Sequence, residues 1–266
     1  MPPTPPQAES HHPPAQLLLA IDTCGPAGSV ALARLDDGKL QIVGQIELEG
    51  RSYSATLVAA IAELLSQNNV ELNNIAAIVA VNGPGSFTGV RVGLSAVKGL
   101  AEPAQIPVVA VSRLEVLANI AKHATGILDP EGGGGFNPRI ERPKSTWALA
   151  PEESFLSSAI DAHRHEVFLR LHSPVKEILA GAPDLRALAP PPRIAVCDDA
   201  AAALLSTAWP NSELLRTTAP TAADALHLAA PRFAAKKFVD LALLDGHYLR
   251  RSDAEIFGEP VSAQRT

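Results

Sequence analysis

Gln16 to Asp22 is an apolar run that ends on a carboxylate, the pattern of a strand buried on both faces. Two more strand-like runs follow, Gly28 to Arg34 and Leu40 to Glu47. Asp36-Asp37-Gly38 between them reads as a hairpin-type turn. Leu57, Ile61, Leu64 and Leu65 then recur at helical spacing within Ser54 to Gln67. Ile75 to Val81 is again a buried strand, a Gly-rich turn leads into a helix to about Ala101, and Pro107 to Val111 is a strand. The order β-β-β-α-β-α-β predicts an α/β protein, a mixed sheet with helices packed on it.

The chain has 266 residues, 47% of them hydrophobic, enough for one large domain or two lobes. Aromatics make up only 4%, so Ala, Leu, Val and Ile must fill the core. The net charge of -6 opposes unaided binding of a nucleic acid, because phosphates are repelled on average. Two cysteines far apart, Cys24 and Cys197, exclude a disulfide framework and suit a reducing cytoplasm. No apolar run is long enough to cross a bilayer, so no membrane partner is expected.

The composition divides the chain further. Residues 1–15 are rich in Pro and polar residues and are expected to form a disordered tail, where His11-His12 is solvated rather than metal-binding. Residues 16–111 are expected to form an N-terminal lobe and 112–266 a C-terminal lobe. A Gly/Pro-rich insertion at 125–145 interrupts the second lobe. Beyond it, Ser154 to Asp161, Glu166 to His172 and Arg193 to Cys197 read as strands. Pro183 to Pro192 reads as loop, and Thr221 to Lys237 as an Ala-rich helix interrupted at Pro231.

The segment from Asn82 to Gly93 follows a strand and opens a helix, where free amides and the helix dipole attract anions. Its spacing fits neither common phosphate motif. Gly83, Gly85 and Gly89 are one residue too long for the dinucleotide fingerprint, and no Lys followed by Ser or Thr comes after Gly89. The helix carries a polar edge of Arg91, Ser95, Lys98 and Glu102, an apolar stripe of Val90, Leu94, Val97 and Ala101, and a small face of Gly89, Gly93 and Ala96. An interior Gly costs about 1 kcal/mol relative to Ala, so a close backbone approach is expected at Gly93. That approach is made either by the protein's own sheet or by a partner.

Leu19-Ala20-Ile21-Asp22-Thr23, the Gly83-to-Gly93 segment, Ile160-Asp161-Ala162 with Glu166-Val167-Phe168, and Tyr248-Leu249-Arg250-Arg251 together resemble the TsaB family, also called YeaZ. The resemblance runs over roughly Leu17 to Glu255. It implies the two-lobed fold of actin, sugar kinases and Hsp70, known as ASKHA or ribonuclease H-like. It implies a non-catalytic subunit in the synthesis of threonylcarbamoyladenosine in tRNA. Implied partners are a TsaD-type transferase paralogue, a TsaE-type ATPase, a second copy of the chain when alone, and tRNA through the complex, with ATP or ADP at the level of the complex. The first two helices of the N-terminal lobe would form the partner face. Carried over, this suggests Tyr53, Leu57, Ile61, Leu64, Gly89, Val90, Gly93, Leu94 and Val97 as interface residues. The chain departs from the family pattern at Arg51-Ser52-Tyr53-Ser54, which lacks a His, at His165 in place of Gly, and in its longer insertion.

Catalytic readings are weaker. Asp22 and Thr23 sit where this fold class places residues that contact a nucleotide. The alternative is a hydrogen-bonded strand end, and the alternative function is an independent ATPase or kinase-like phosphotransferase. His163 and His165 do not have the spacing of helical metal ligands. Cys24 has no activating base near it in sequence, and Asp161 with Glu166 is read as flanking a turn. No catalytic or metal residue is expected.

Overall fold

The computed structural model describes residues 15–50, 52–125 and 156–250. The expected tail apart from Ala15, Arg51, the insertion apart from Thr125, and Arg251 lie outside the described residues.

Two five-stranded sheets are built to one plan. The first contains β1 (Gln16–Asp22), β2 (Ala27–Asp36), β3 (Lys39–Glu49), β4 (Ile75–Val81) and β5 (Val108–Val111), in the order β3-β2-β1-β4-β5. The second contains β6 (Ser157–Asp161), β7 (Glu166–Leu171), β8 (Lys176–Gly181), β9 (Arg193–Val196) and β10 (Glu213–Arg216), in the order β10-β9-β6-β7-β8. In each, the first three strands form an antiparallel meander and the last two add in parallel beside the first strand. The predicted hairpin turn between β2 and β3 is present. Asp37 and Gly38 take φ of 47° and 74°, which a two-residue turn of this twist requires.

The helices are α1 (Tyr53–Gln67), α2 (Phe87–Ala104), α3 (Arg113–Thr125), α4 (Ala182–Ala187), α5 (Asp199–Ala208) and α6 (Ala222–Ala234). Neighbouring residues of β2 and β3 show which face each one covers, since successive side positions on a strand point to opposite faces. Gly28 and Gly44 face Tyr53 and Leu64 of α1, while Ser29 and Gln45 accept the Ala222 and Ala223 amides of α6. The first sheet is therefore sandwiched, with α1 and α2 side by side on one face and α6 on the other. A continuous core of Leu, Ile, Val and Ala results, which is how so few aromatics suffice. A second core joins the second sheet to α4 and α5, where the Trp209 indole donates to the Leu185 carbonyl at 2.8 Å. A third lies between α3 and the second sheet, pinned by Ser158 Oγ donating to the Leu114 carbonyl at 2.6 Å.

Two expectations are corrected. Pro183 to Pro192 is not all loop: α4 occupies its first half with a Pro in the first turn, where a missing N–H costs nothing. The 112–266 segment does not stay with the second sheet, because α6 packs across the strands of the first. Its N-terminus is fixed by a Thr221–Asp224 capping box and by the Ser29 hydroxyl, 2.8 Å from the buried Ala222 amide. Ser29→Ala leaves that donor without its acceptor. It is expected to lower unfolding stability by about 1–3 kcal/mol, measurable by urea denaturation, with the fold retained.

Candidate functional site

Three of the four glycines of the Asn82-to-Gly93 segment, Gly85, Gly89 and Gly93, are explained by the loop that follows β1. A Cβ on Gly85 would collide with the Cys24 carbonyl, one on Gly89 with the Thr23 carbonyl, and one on Gly93 with the Thr23 hydroxyl. The contacts are polar as well as close. Thr23 Oγ1 donates to the Gly89 carbonyl at 2.6 Å, and the Ser86 amide donates to the Cys24 carbonyl at 2.8 Å. Ser86 also caps α2 by accepting the Gly89 amide at 3.3 Å. The close approach expected at Gly93 is thus made by the protein's own β1 loop.

The other side of this loop meets α3. The Asp22 carboxylate, 1% exposed, accepts the Cys24 amide at 2.8 Å through Oδ1 and lies 3.5 Å from Arg113 Nε through Oδ2. Asp22 Oδ2 and Arg113 Nε make no hydrogen bond. Burial works against the Arg113 charge, but Asp22 together with Cys24, Cys197 and Tyr53 outweighs it and the pKa is raised. Burial, followed by Asp22, pushes the Cys24 thiol well above its ordinary value, and burial takes Cys197 to about 11. Tyr53, whose hydroxyl donates to the Gly25 carbonyl at 2.8 Å, is raised to about 12 by burial and then Asp22. Both thiols and the phenol are neutral at pH 7.

A cavity of about 1230 Å³ opens between the sheets. Arg113, Cys24 and Cys197 lie along it with the first turn of α2, the turn after β6, and His247 to Arg250. Asp22 and Thr23 do not line it; their polar groups face Arg113, Cys24 and Gly89. The two sequence candidates for a cofactor therefore serve the loop geometry. Asp161 and Glu166 do not act as a pair either. Asp161 accepts the His163 amide and meets His163 Nδ1, both at 2.9 Å, while Glu166 pairs with Arg250. Sequence reasoning missed Arg113; its only signal was a charged residue two positions after a buried strand.

The chain's segment from His247 to Arg250 crosses this cavity. His247 Nε2 meets Glu177 at 2.8 Å, Tyr248 packs tilted against Phe87 at 4.9 Å between centroids, and Arg91 lies 3.7 Å over the Phe87 ring. Glu177 also accepts from Ser112 Oγ at 2.8 Å and Arg170 Nη1 at 2.9 Å.

Comparison with known proteins bears on this architecture. A family model described as TsaD, tRNA N6-adenosine threonylcarbamoyltransferase, matches residues 46–132. The tRNA threonylcarbamoyladenosine biosynthesis protein TsaB of Bacillus subtilis is 34% identical over 113 residues, covering 42% of this chain and 48% of that protein. Its counterpart in Haemophilus influenzae is 40% identical over 104 residues, covering 39% and 42%. The chain thus spans about half the length of these curated relatives. A Pseudomonas aeruginosa structure described as similar to peptidase YEAZ superposes with a TM-score of 0.65 at 26% identity, over 88% of this chain and all of that one. The chain is similar to proteins of the TsaB (YeaZ) family. Its paired sheets are the two-lobed ASKHA, or ribonuclease H-like, fold.

The expected partner residues need correction. Tyr53, Leu57, Ile61, Leu64, Val90, Leu94 and Val97 are buried in the core of the first sheet, and Gly89 and Gly93 are closed off by Thr23. The apolar stripe of an amphipathic helix faces its own sheet, and the sequence alone gave it no competitor. The outer face of α1 carries Ala55, Val58, Ala59 and Ala62, with Val58 62% exposed. On α2 the glycine with open space around it is Gly99.

Burial alone raises the Glu177 pKa, but bonds from His247 and Ser112, and then the charges of His247 and Arg170, outweigh it and hold it below 4.5. A depressed carboxylate pKa adds stability above the unfolded value and loses it as pH falls through the folded value. Glu177→Gln is therefore expected to unfold more easily at pH 7, with the difference from the parent shrinking below about pH 4.5, in denaturation series against pH.

Proposed function

We propose that this chain is a non-catalytic accessory subunit in the synthesis of tRNA N6-threonylcarbamoyladenosine, binding a TsaD-type transferase through the outer faces of α1 and α2. The observation that carries the reading is the two-helix surface of small residues. Ala55, Val58, Ala59 and Ala62 lie open on α1, which packs beside α2 with its open Gly99. Small side chains let another pair of helices approach closely, and Val58 supplies an apolar contact at the centre. The kinship of the family to the transferases supports a partner of the same fold, with which a pseudo-symmetric helix pairing is natural. In the absence of the transferase, the same face joins two copies of the chain. A TsaE-type ATPase and tRNA belong to the assembled complex, since the net charge of -6 disfavours tRNA binding by this chain alone.

An independent phosphotransferase would need Asp22 to reach a ligand. The carboxylate is instead turned to the Cys24 amide and Arg113, which favours the accessory role.

Co-purification with a TsaD-type transferase, light scattering and a tRNA modification assay test the proposal. Val58→Asp is expected to leave the fold intact and weaken the complex at least about tenfold, about 1.4 kcal/mol, with modification falling accordingly. Gly93→Leu is expected to lower the monomer's own stability by about 1–3 kcal/mol through overpacking against Thr23. A Val58→Asp protein that binds and supports the transferase as well as the parent would overturn this interface. ATP hydrolysis by the chain alone, lost in Asp22→Asn, would favour the phosphotransferase.

A further inference from the structure

We propose that residues 246–250 act as a strap that fixes the angle between the two lobes, so that the protein behaves as one rigid body. Among the described residues, the chain crosses between the lobes at Ser112, from β5 to α3, and again at residues 217–221, from β10 to α6. α3 packs on both α6 and the second sheet, so the lobes share a seam there. The cavity of about 1230 Å³ between the sheets leaves them room to swing about that seam unless something spans it. The residues after α6 do so. They start on the first lobe, where the Val239 amide donates to the Val108 carbonyl at 2.9 Å and Leu244 is buried in the first core. They end on the second, where Leu249 packs on the third core and Arg250 pairs with Glu166 of β7.

Between those ends the contacts alternate from lobe to lobe. The His247 amide donates to the carbonyl of Asn82, just past β4, at 2.7 Å, while its Nε2 meets Glu177 of β8 at 2.8 Å. One residue thus holds both sheets. The Glu177 carboxylate is itself fixed by Ser112 and Arg170. Tyr248 returns to the first lobe, its ring against Phe87 of α2 and 5.8 Å from the Arg91 guanidinium carbon. Two glycines leave room for this path. A Cβ on Gly83, whose φ is 112°, would press on the His247 carbonyl at 3.1 Å, and one on Gly246 would collide with the Tyr248 ring. Gly83 is the glycine of its segment that the β1 loop does not explain. Each contact alone is modest. Once one forms, the others lie within the same short segment at high effective concentration, so they close together. Tyr248 stays 36% exposed, so the strap is held by these contacts rather than by deep burial. The inference concerns the chain alone and does not depend on the accessory role.

The test uses the full chain with nitroxide labels at Glu63→Cys on α1 and Ala203→Cys on α5, both exposed positions, one on each lobe. Cys24 is buried, and the half-buried Cys197 is replaced by Ser. Pulsed electron resonance then reads the spread of distances between the lobes. The chain with its strap intact is expected to show one narrow distance. The His247→Ala/Tyr248→Ala/Arg250→Ala variant is expected to keep its circular dichroism and to broaden that spread at least about twofold, with the amide at residue 247 exchanging at least about tenfold faster. Tyr248→Ala alone is expected to change both readings in the same direction by less, and it decides the matter if the triple variant does not fold. A spread that stays unchanged in a folded variant, or one that is already as broad with the strap intact, would overturn the proposal.

Discussion

The ion pair between Asp22 and Arg113 joins parts of the molecule that nothing else in sequence connects. Asp22 ends the central strand of the first sheet, and Arg113 begins the helix that packs on the second. The pair is fully buried, so its mutual attraction must first offset the loss of hydration of both charges, which costs several kcal/mol per ion. Such pairs contribute little net stability. They do impose geometry, since removing either partner leaves a lone charge inside the protein. Placing a cation there fixes where α3 starts, and with it how the two lobes meet.

Around this pair the loop after β1 is gripped from three sides. α2 presses its glycines onto Thr23 and Cys24, Tyr53 of α1 holds the Gly25 carbonyl, and Arg113 occupies the space that a side chain at residue 25 would fill. The loop's polar groups are thereby committed to the protein itself. A strand-end carboxylate that invites a catalytic reading becomes a structural member, and Arg113 is among the residues that line the cavity.

The two sheets repeat one strand order, and the helices fitted to them give the molecule an inner cleft and an outer face. α6 breaks the correspondence between chain order and lobe by returning to cover the first sheet, held by Ser29 and the Thr221–Asp224 cap. The first lobe therefore needs the end of the described chain to complete its core. Among the described residues, the outer face of α1 stays exposed.

The strands from β1 to β5, the hairpin at Asp37-Gly38, and α1 and α2 were legible in the sequence because each is specified locally, by apolar period, turn residues or a cap. The resemblance to the TsaB family was legible too, because the Gly83-to-Gly93 segment is a contiguous string. α3 and α5 were not identified as helices, and the Pro-flanked α4 read as loop. The face that α1 and α2 turn inward was also misassigned. Periodicity shows that a helix has an apolar stripe but not which surface covers that stripe. Likewise, a glycine signals a close approach without naming its neighbour, and here the neighbour is Thr23, 70 residues earlier in the chain. The pairing of Asp22 with Arg113 and the cavity beside them come from contacts between distant segments. The sequence by itself determined the strands, the early helices and the resemblance to the TsaB family; only the tertiary structure decided which polar groups are spent within the fold, because desolvation and contact depend on neighbours that chain order does not reveal.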